Sequence, residues 1–342
     1  MKIKYLSFIA FFAFATNITK AQDVAVGDES AINVAKAEEI YNRGIEKFNT
    51  QDFQGAIEAF DSSITLVPTF EKAIFNRGSV KYQQKDILGA MDDFNKVIEL
   101  NPDSNKAHFF RGRIFYDQNN KEKAMSDFTR AIEIDNTNAD AYYYRGGLYF
   151  LDEKYEDALK DFDNAIKNKP NYAYAYNDRG SVKRMLNDID GAIQDYKKAI
   201  ANDGKMFFAY NNLGSAYRIN KKYDEAITNY NKAIELKKDY FIAINNRGYA
   251  KHEKGDYKAA IEDFNKAIQL DAKYVQAYNN RAASKFKLED YEGSVEDCNK
   301  AINLQADFGP AYLNRGIAYE MLREDEKACK DWSKAASLGL KN

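Results

Sequence analysis

The sequence predicts an all-α solenoid of nine tandem helical hairpins, and three observations carry that prediction. A glycine recurs every 34 residues, a small residue follows it after twelve positions, and a bulky or apolar residue follows after four more. A fixed period of this length marks stacked supersecondary units and overrides the two or three ordinary domains that 342 residues would otherwise suggest.

The glycines are Gly44, Gly78, Gly112, Gly146, Gly180, Gly214, Gly248 and Gly316, with Ala282 completing the series. The small residues are Ala56, Ala90, Ala124, Ala158, Ala192, Ala226, Ala260, Ser294 and Ala328. The large ones are Phe60, Phe94, Phe128, Phe162, Tyr196, Tyr230, Phe264, Cys298 and Trp332. Small residues at two facing sites let a helix pair approach closely, and a large residue four places on fills the seam from the same face. Pro68, Pro102 and Pro170 share one position near the end of a unit, where proline stops a helix.

This pattern resembles the tetratricopeptide repeat family over residues 37–342. Most units lack the family's early Trp and its Leu before the Gly, and several end without Pro. The resemblance implies a right-handed α-solenoid with units at 37–70, 71–104, 105–138, 139–172, 173–206, 207–240, 241–274, 275–308 and 309–342. It leaves no separate catalytic domain.

Ahead of the repeats, a basic start (Lys2, Lys4) precedes an apolar run from Tyr5 to Ala15 that is too short to span a bilayer. Small residues at Thr19 and Ala21 complete the pattern of a secretory signal over 1–21, cleaved between Ala21 and Gln22, with a polar leader at 22–36. The expected destination is the periplasm or the extracellular space, with no membrane span in the mature chain. Removing three lysines with the signal takes the net charge from −2 to −5. A mildly acidic chain lacks the positive surface that phosphate backbones require, so nucleic acid is not an expected partner. Two cysteines, Cys298 and Cys329, cannot supply a disulfide framework. Both stand at expected core positions, as free thiols or as one bridge between the last two hairpins.

The residue before the glycine is Arg in eight units (Arg43, Arg77, Arg111, Arg145, Arg179, Arg247, Arg281, Arg315) but Leu213 in the sixth. Sixteen places later stand Asp93, Asp127, Asp161, Asp195, Asp263, Asp297 and Asp331, but Asn229 in that same sixth unit. Their joint loss predicts an Arg–carboxylate bridge across each hairpin. A basic stripe that recognises a ligand is the competing reading. The first unit has Arg43 opposite Ala59, an exception that Asp61 is placed to cover.

In the family resembled, the second, fifth, sixth, ninth, twelfth and thirteenth residues of a unit line the concave surface and meet ligands. Carried over, these positions divide the groove in two. The front half is aromatic, with Tyr41, Phe75, Phe109 and Tyr143 at the fifth position and Phe48, Tyr82, Tyr116 and Phe150 at the twelfth. The back half is an amide ladder of Asn177, Asn211, Asn245 and Asn279 at the fifth position and Asn212, Asn246, Asn280 and Asn314 at the sixth. Asn offers a donor and an acceptor, so such a series can bond the backbone of an extended polypeptide. It resembles the asparagine ladder of the O-linked N-acetylglucosamine transferase superhelix. Arg184 and Arg218 at the twelfth position, with Tyr174, Phe208 and Ile242 at the second, complete a mixed peptide site. Packing between hairpins competes for the rings, and duplicated surface for the amides.

His108 and His252 have no triad or metal spacing and are expected at the surface; no Gly-rich phosphate loop occurs. No enzyme activity, metal or cofactor is therefore expected. The last unit carries Trp332 and Gly339 and ends without a solvating helix, which offers a face to a partner or to a second copy. The expected function is a non-enzymatic scaffold or adaptor that holds a protein or peptide segment. A periplasmic holdase or assembly chaperone is the alternative.

Overall fold

The computed structural model describes residues 28–340, and every regular element among them is a helix. The expected signal and its Ala21/Gln22 cleavage point lie outside the described residues. The hairpins are α1 (Asp28–Asn49) with α2 (Phe53–Leu66), α3 (Glu71–Gln83) with α4 (Ile87–Leu100), α5 (Asn105–Asp117) with α6 (Lys121–Ile134), α7 (Ala139–Leu151) with α8 (Tyr155–Asn168), and α9 (Ala173–Met185) with α10 (Ile189–Asn202). Then come α11 (Phe207–Ile219) with α12 (Tyr223–Leu236), α13 (Phe241–Lys254) with α14 (Tyr257–Leu270), α15 (Val275–Lys287) with α16 (Tyr291–Leu304), and α17 (Gly309–Met321) with α18 (Asp325–Ser337). The expected all-α solenoid of helical hairpins is therefore the observed fold. Helix α1 begins nine residues ahead of Ala37, inside the polar leader.

The described residues form two compact units, one up to Asn101 and one from Pro102. Within each, every helix packs on the next in the chain; in the second unit, successive first helices from α7 to α17 also touch.

Each hairpin turns at its fifteenth residue, which adopts a left-handed backbone whatever its identity: Gln51, Lys85, Asn119, Glu153, Asn187, Lys221, Glu289 and Arg323, with Gly255 the glycine of the series. The next residue begins the second helix. Where it is Asp52, Asp86, Asn120, Asp188, Asp256 or Asp290, its side chain accepts the backbone N–H three residues on. Such a cap is worth about 0.5–2 kcal/mol. Lys154 and Lys222 make no cap.

The seam follows from side-chain size. A Cβ on Gly146 would stand 3.1 Å from the Phe162 ring and 3.2 Å from the Asp161 Cβ, so glycine is what lets α7 and α8 close. The eighth hairpin solves the problem in reverse: Ala282 supplies the methyl, and the buried sulfur of Cys298 replaces the ring opposite.

The Arg–Asp bridges form across the hairpins. Arg145 donates from Nε to Asp161 Oδ2 at 2.8 Å and from Nη2 to Oδ1 at 2.9 Å. Arg77, Arg111, Arg179, Arg247, Arg281 and Arg315 grip Asp93, Asp127, Asp195, Asp263, Asp297 and Asp331 in the same two-point way. The remaining guanidinium nitrogen reaches the preceding hairpin: Arg77 to Asp61 (2.6 Å), Arg145 to Thr129 (3.3 Å), Arg179 to Asp163 (2.6 Å) and Arg247 to Asn231 (2.7 Å). Asp61 thus serves the next hairpin's Arg77 rather than Arg43, because the twenty-fifth residue of a unit faces forward along the array.

Candidate functional site

Helical residues advance by about 100°, so the second, sixth, ninth and thirteenth residues of a unit fall within a strip of roughly 60°, with the fifth and twelfth to one side. That geometry divides the expected ligand residues. On α9, α11 and α13 the strip is Tyr174, Asp178, Ser181, Met185; Phe208, Asn212, Ser215, Ile219; and Ile242, Asn246, Tyr249, Glu253, all half-buried or exposed. Their fifth-position neighbours Asn177, Asn211 and Asn245 are buried, as are Phe109 and Tyr143 on α5 and α7.

The burial has a structural purpose. Asn212 Nδ2 donates to Asn177 Oδ1 at 3.0 Å, Asn246 to Asn211 at 3.0 Å, Asn280 to Asn245 at 3.1 Å and Asn314 to Asn279 at 2.9 Å. Each bond spans 35 residues and joins the sixth position of one hairpin to the fifth of the hairpin before. The amide ladder is therefore an internal rail that ties repeats together. Asn177, Asn211 and Asn245 do not face a groove, contrary to expectation, because the fifth position turns toward the neighbouring helix. The sixth-position amides are half-buried and remain at its edge.

The same 35-residue step recurs in the aromatic hairpins. Asn76 Nδ2 donates to the Tyr41 hydroxyl at 2.7 Å, and the Tyr143 hydroxyl donates to Asp178 Oδ2 at 2.8 Å. Phe109 meets Tyr144 ring to ring, 6.0 Å between centroids. Phe75 lies 5.7 Å from the seam ring of Phe94, so it packs within its own hairpin. Tyr116 stands edge-on to Tyr144 at 5.4 Å and is half-buried, as is Tyr82. Burial raises the Tyr116 hydroxyl pKa first, and the nearby Asp178 charge adds to it.

Of the two arginines, Arg218 is engaged: it pairs with Glu253 at 2.9 Å and lies over the Tyr249 ring at 4.8 Å. Arg184 sits beside the buried Tyr196 hydroxyl, which also meets Ser181 at 3.2 Å. What the residue reading missed is the outer edge of the strip. Leu151, Met185 and Ile219, all thirteenth residues, expose 55%, 48% and 41% of their surface. Tyr174 and Phe208 stack at 6.0 Å along the opposite edge. Hairpins five and six thus carry two apolar edges around a polar centre. Asp178 was missed too, although an Asp in a column otherwise filled by Asn and aromatic residues was a visible signal.

Of the two histidines expected at the surface, His108 is not there and His252 is only partly so. His108 is buried, 3.1 Å from Asp127 and 3.0 Å from the Pro102 carbonyl, so it belongs to an ion-pair cluster. His252 is half-buried against Ser284 at 2.8 Å, and burial lowers its pKa. Cys298 and Cys329 are free thiols. Burial pushes Cys298 up to about 12, whereas Cys329 is exposed, contrary to its expected core position. Among the described residues no group of His, Cys, Asp or Glu is arranged to hold a metal, and no helix is long and apolar enough to cross a membrane.

Comparison with known proteins agrees with this geometry. Tetratricopeptide repeat family profiles match residues 71–104, 112–152, 148–207, 214–255, 248–289 and 275–308. No curated protein matches. Among solved structures, the chain is similar to the APC/C hetero-tetramer Cut9-Hcn1, with 14% identity, 89% of this chain and 73% of that chain covered, and a TM-score of 0.58. It is also similar to a tetratricopeptide repeat protein from Parabacteroides merdae, with 17% identity, 72% and 98% covered, and a TM-score of 0.51. YrrB, described as a TPR protein with an unusual peptide-binding site, aligns at 24% identity over 54% of this chain and 95% of its own, with a TM-score of 0.45. With the 34-residue period, the paired helices and family profiles that match more than half of its length, the chain belongs to the tetratricopeptide repeat family.

Proposed function

We propose that the chain is an exported, non-enzymatic scaffold that lays a polypeptide segment across the first-helix strip of hairpins five to seven. One observation carries the reading: exposed Met185 and Ile219 face stacked Tyr174 and Phe208 across a row of polar side chains. An extended segment presents alternate side chains to opposite sides, so two apolar edges around a polar centre suit its apolar side chains and its backbone at once. Asn212, whose Nδ2 is used within the rail, keeps its carbonyl oxygen as an acceptor for a backbone N–H group, and Asn246 Oδ1, which accepts from Asn245 Nδ2 at 3.4 Å, has a second lone pair for the same use.

The test is affinity capture from the cell-envelope fraction, with wild type compared to the Met185→Glu, Ile219→Glu double variant. Both side chains are exposed, so the fold should persist, as circular dichroism can verify. A captured partner should bind the variant at least tenfold more weakly, about 1.4 kcal/mol or more. Equal capture by both proteins would place the docking surface elsewhere.

A further inference from the structure

The carboxylate of Asp178 stands apart from the others on this strip. The sixth positions of the nine hairpins read Asn42, Asn76, Phe110, Tyr144, Asp178, Asn212, Asn246, Asn280 and Asn314, so Asp178 is the single acid in the column. Buried acids elsewhere in the array, such as Asp161 and Asp195, are gripped by a bidentate Arg. Asp178 instead accepts two neutral donors, the Tyr143 hydroxyl at 2.8 Å and Asn177 Nδ2 at 2.9 Å, and it takes part in no ion pair among the described residues. Half-buried and negative, it is held in place by hydrogen bonds that leave its charge uncompensated.

Its surroundings suit a cation. The Tyr143 hydroxyl touches Asp178 at 2.8 Å, and the hydroxyls of Tyr116 on α5 and Tyr174 on α9 lie near enough to feel its charge. Aromatic faces attract ammonium and guanidinium groups. The chain already uses the neighbouring ring in that way, with the Arg113 guanidinium 4.3 Å over Tyr144. Burial, against the pull of its two hydrogen bonds, raises the Asp178 carboxyl to about 6, as expected of an acid without a counter-charge.

We propose that Asp178, with Tyr116, Tyr143 and Tyr174, forms a subsite for the ammonium or guanidinium of a Lys or Arg side chain in the bound polypeptide. The inference rests on the groove reading and deepens it. Apolar edges hold the segment, and this subsite fixes its register with one basic residue. A single carboxylate is too few ligands for a metal ion, whereas one ion pair beside aromatic groups suffices for a side-chain cation.

A random-sequence peptide library displayed on phage, selected on the purified full chain, provides the test. Enriched peptides should share a Lys or Arg at one register. Replacing that residue by norleucine in a selected peptide should weaken binding at least tenfold, and so should Asp178→Asn in the protein. The two losses should not add, as expected for directly interacting partners. Enriched peptides without a shared basic residue, or a norleucine peptide that binds equally well, overturn the subsite while leaving the groove intact. The peptide change requires no protein variant, so the result stands even if Asp178→Asn fails to fold. Enrichment of no peptide overturns groove and subsite together.

Discussion

At the scale of single residues, Asp178 costs the fold stability at neutral pH. Its folded carboxyl titrates at about 6, above the ordinary value near 3.9, so the folded chain holds the proton more tightly than the unfolded one. The destabilisation that Asp178 itself brings is therefore absent below about pH 4, grows as pH rises towards 6, and is fully present above it. Asp178→Asn keeps an acceptor for the Tyr143 hydroxyl and removes the charge. It should stabilise the protein by about 1–2 kcal/mol at pH 7.5, a value discounted for partial solvent screening, and by nearly nothing at pH 4. Denaturant titrations at the two pH values check this, and an equal effect at both would show that the charge is not the cause. Little of this was legible in the residues alone. The Asp was visible in its column, but its lack of a cation depends on where Tyr143 and Asn177 point. Asn177, Asn211 and Asn245 misled for a related reason: Asn reads as a surface residue until a partner 35 positions away shows it to be buried and satisfied.

At the scale of the hairpin, most of the architecture could be read in advance, because size alternation at Gly146, Ala158 and Phe162 leaves few ways to pack two helices. The Arg–Asp bridge was legible through a coincidence of loss, Leu213 with Asn229. The turn was not. Its left-handed residue is Gln, Lys, Asn, Glu or Arg in different units, and geometry, not residue type, sets that backbone. The cap that follows is readable, and it shows where the chain is weaker than it need be. Lys154 begins α8 without capping it, whereas Asn120 at the same place accepts from the Lys123 N–H. Lys154→Asn should therefore stabilise by about 0.5–1 kcal/mol, and Asn avoids a new charge beside Glu156 and Asp157. A melting temperature equal to or below that of wild type would show that the cap does not form.

At the scale of the whole molecule, stability in a repeat array is a sum of hairpin terms and interface terms, and each interface here joins specific partners. In the second unit, Arg145, Arg179, Arg247, Arg281 and Arg315 each find an acceptor at the twenty-fifth position of the preceding hairpin: Thr129, Asp163, Asn231, Asn265 and Asn299. Between hairpins five and six the device is replaced. Leu213 is buried among Ala192, Ile193 and Tyr196, and the twenty-fifth residue is Lys197, lying 5.7 Å from the Tyr217 ring. Such a substitution of packing for a buried ion pair is often neutral or stabilising. It also means that the hairpins are not interchangeable beads. Excising 241–274 would present Asn231 to Arg281, an acceptable join, and the shortened chain should fold and unfold much like its parent. Excising 207–240, a segment of the same length, would set Arg247 against Lys197, and that protein should be markedly less stable to urea. Equal stability of the two deletions would refute the rule. If it holds, the order of the hairpins works like a keyed connector: each end accepts only certain successors, and the sixth hairpin is the adapter between two otherwise mismatched fittings.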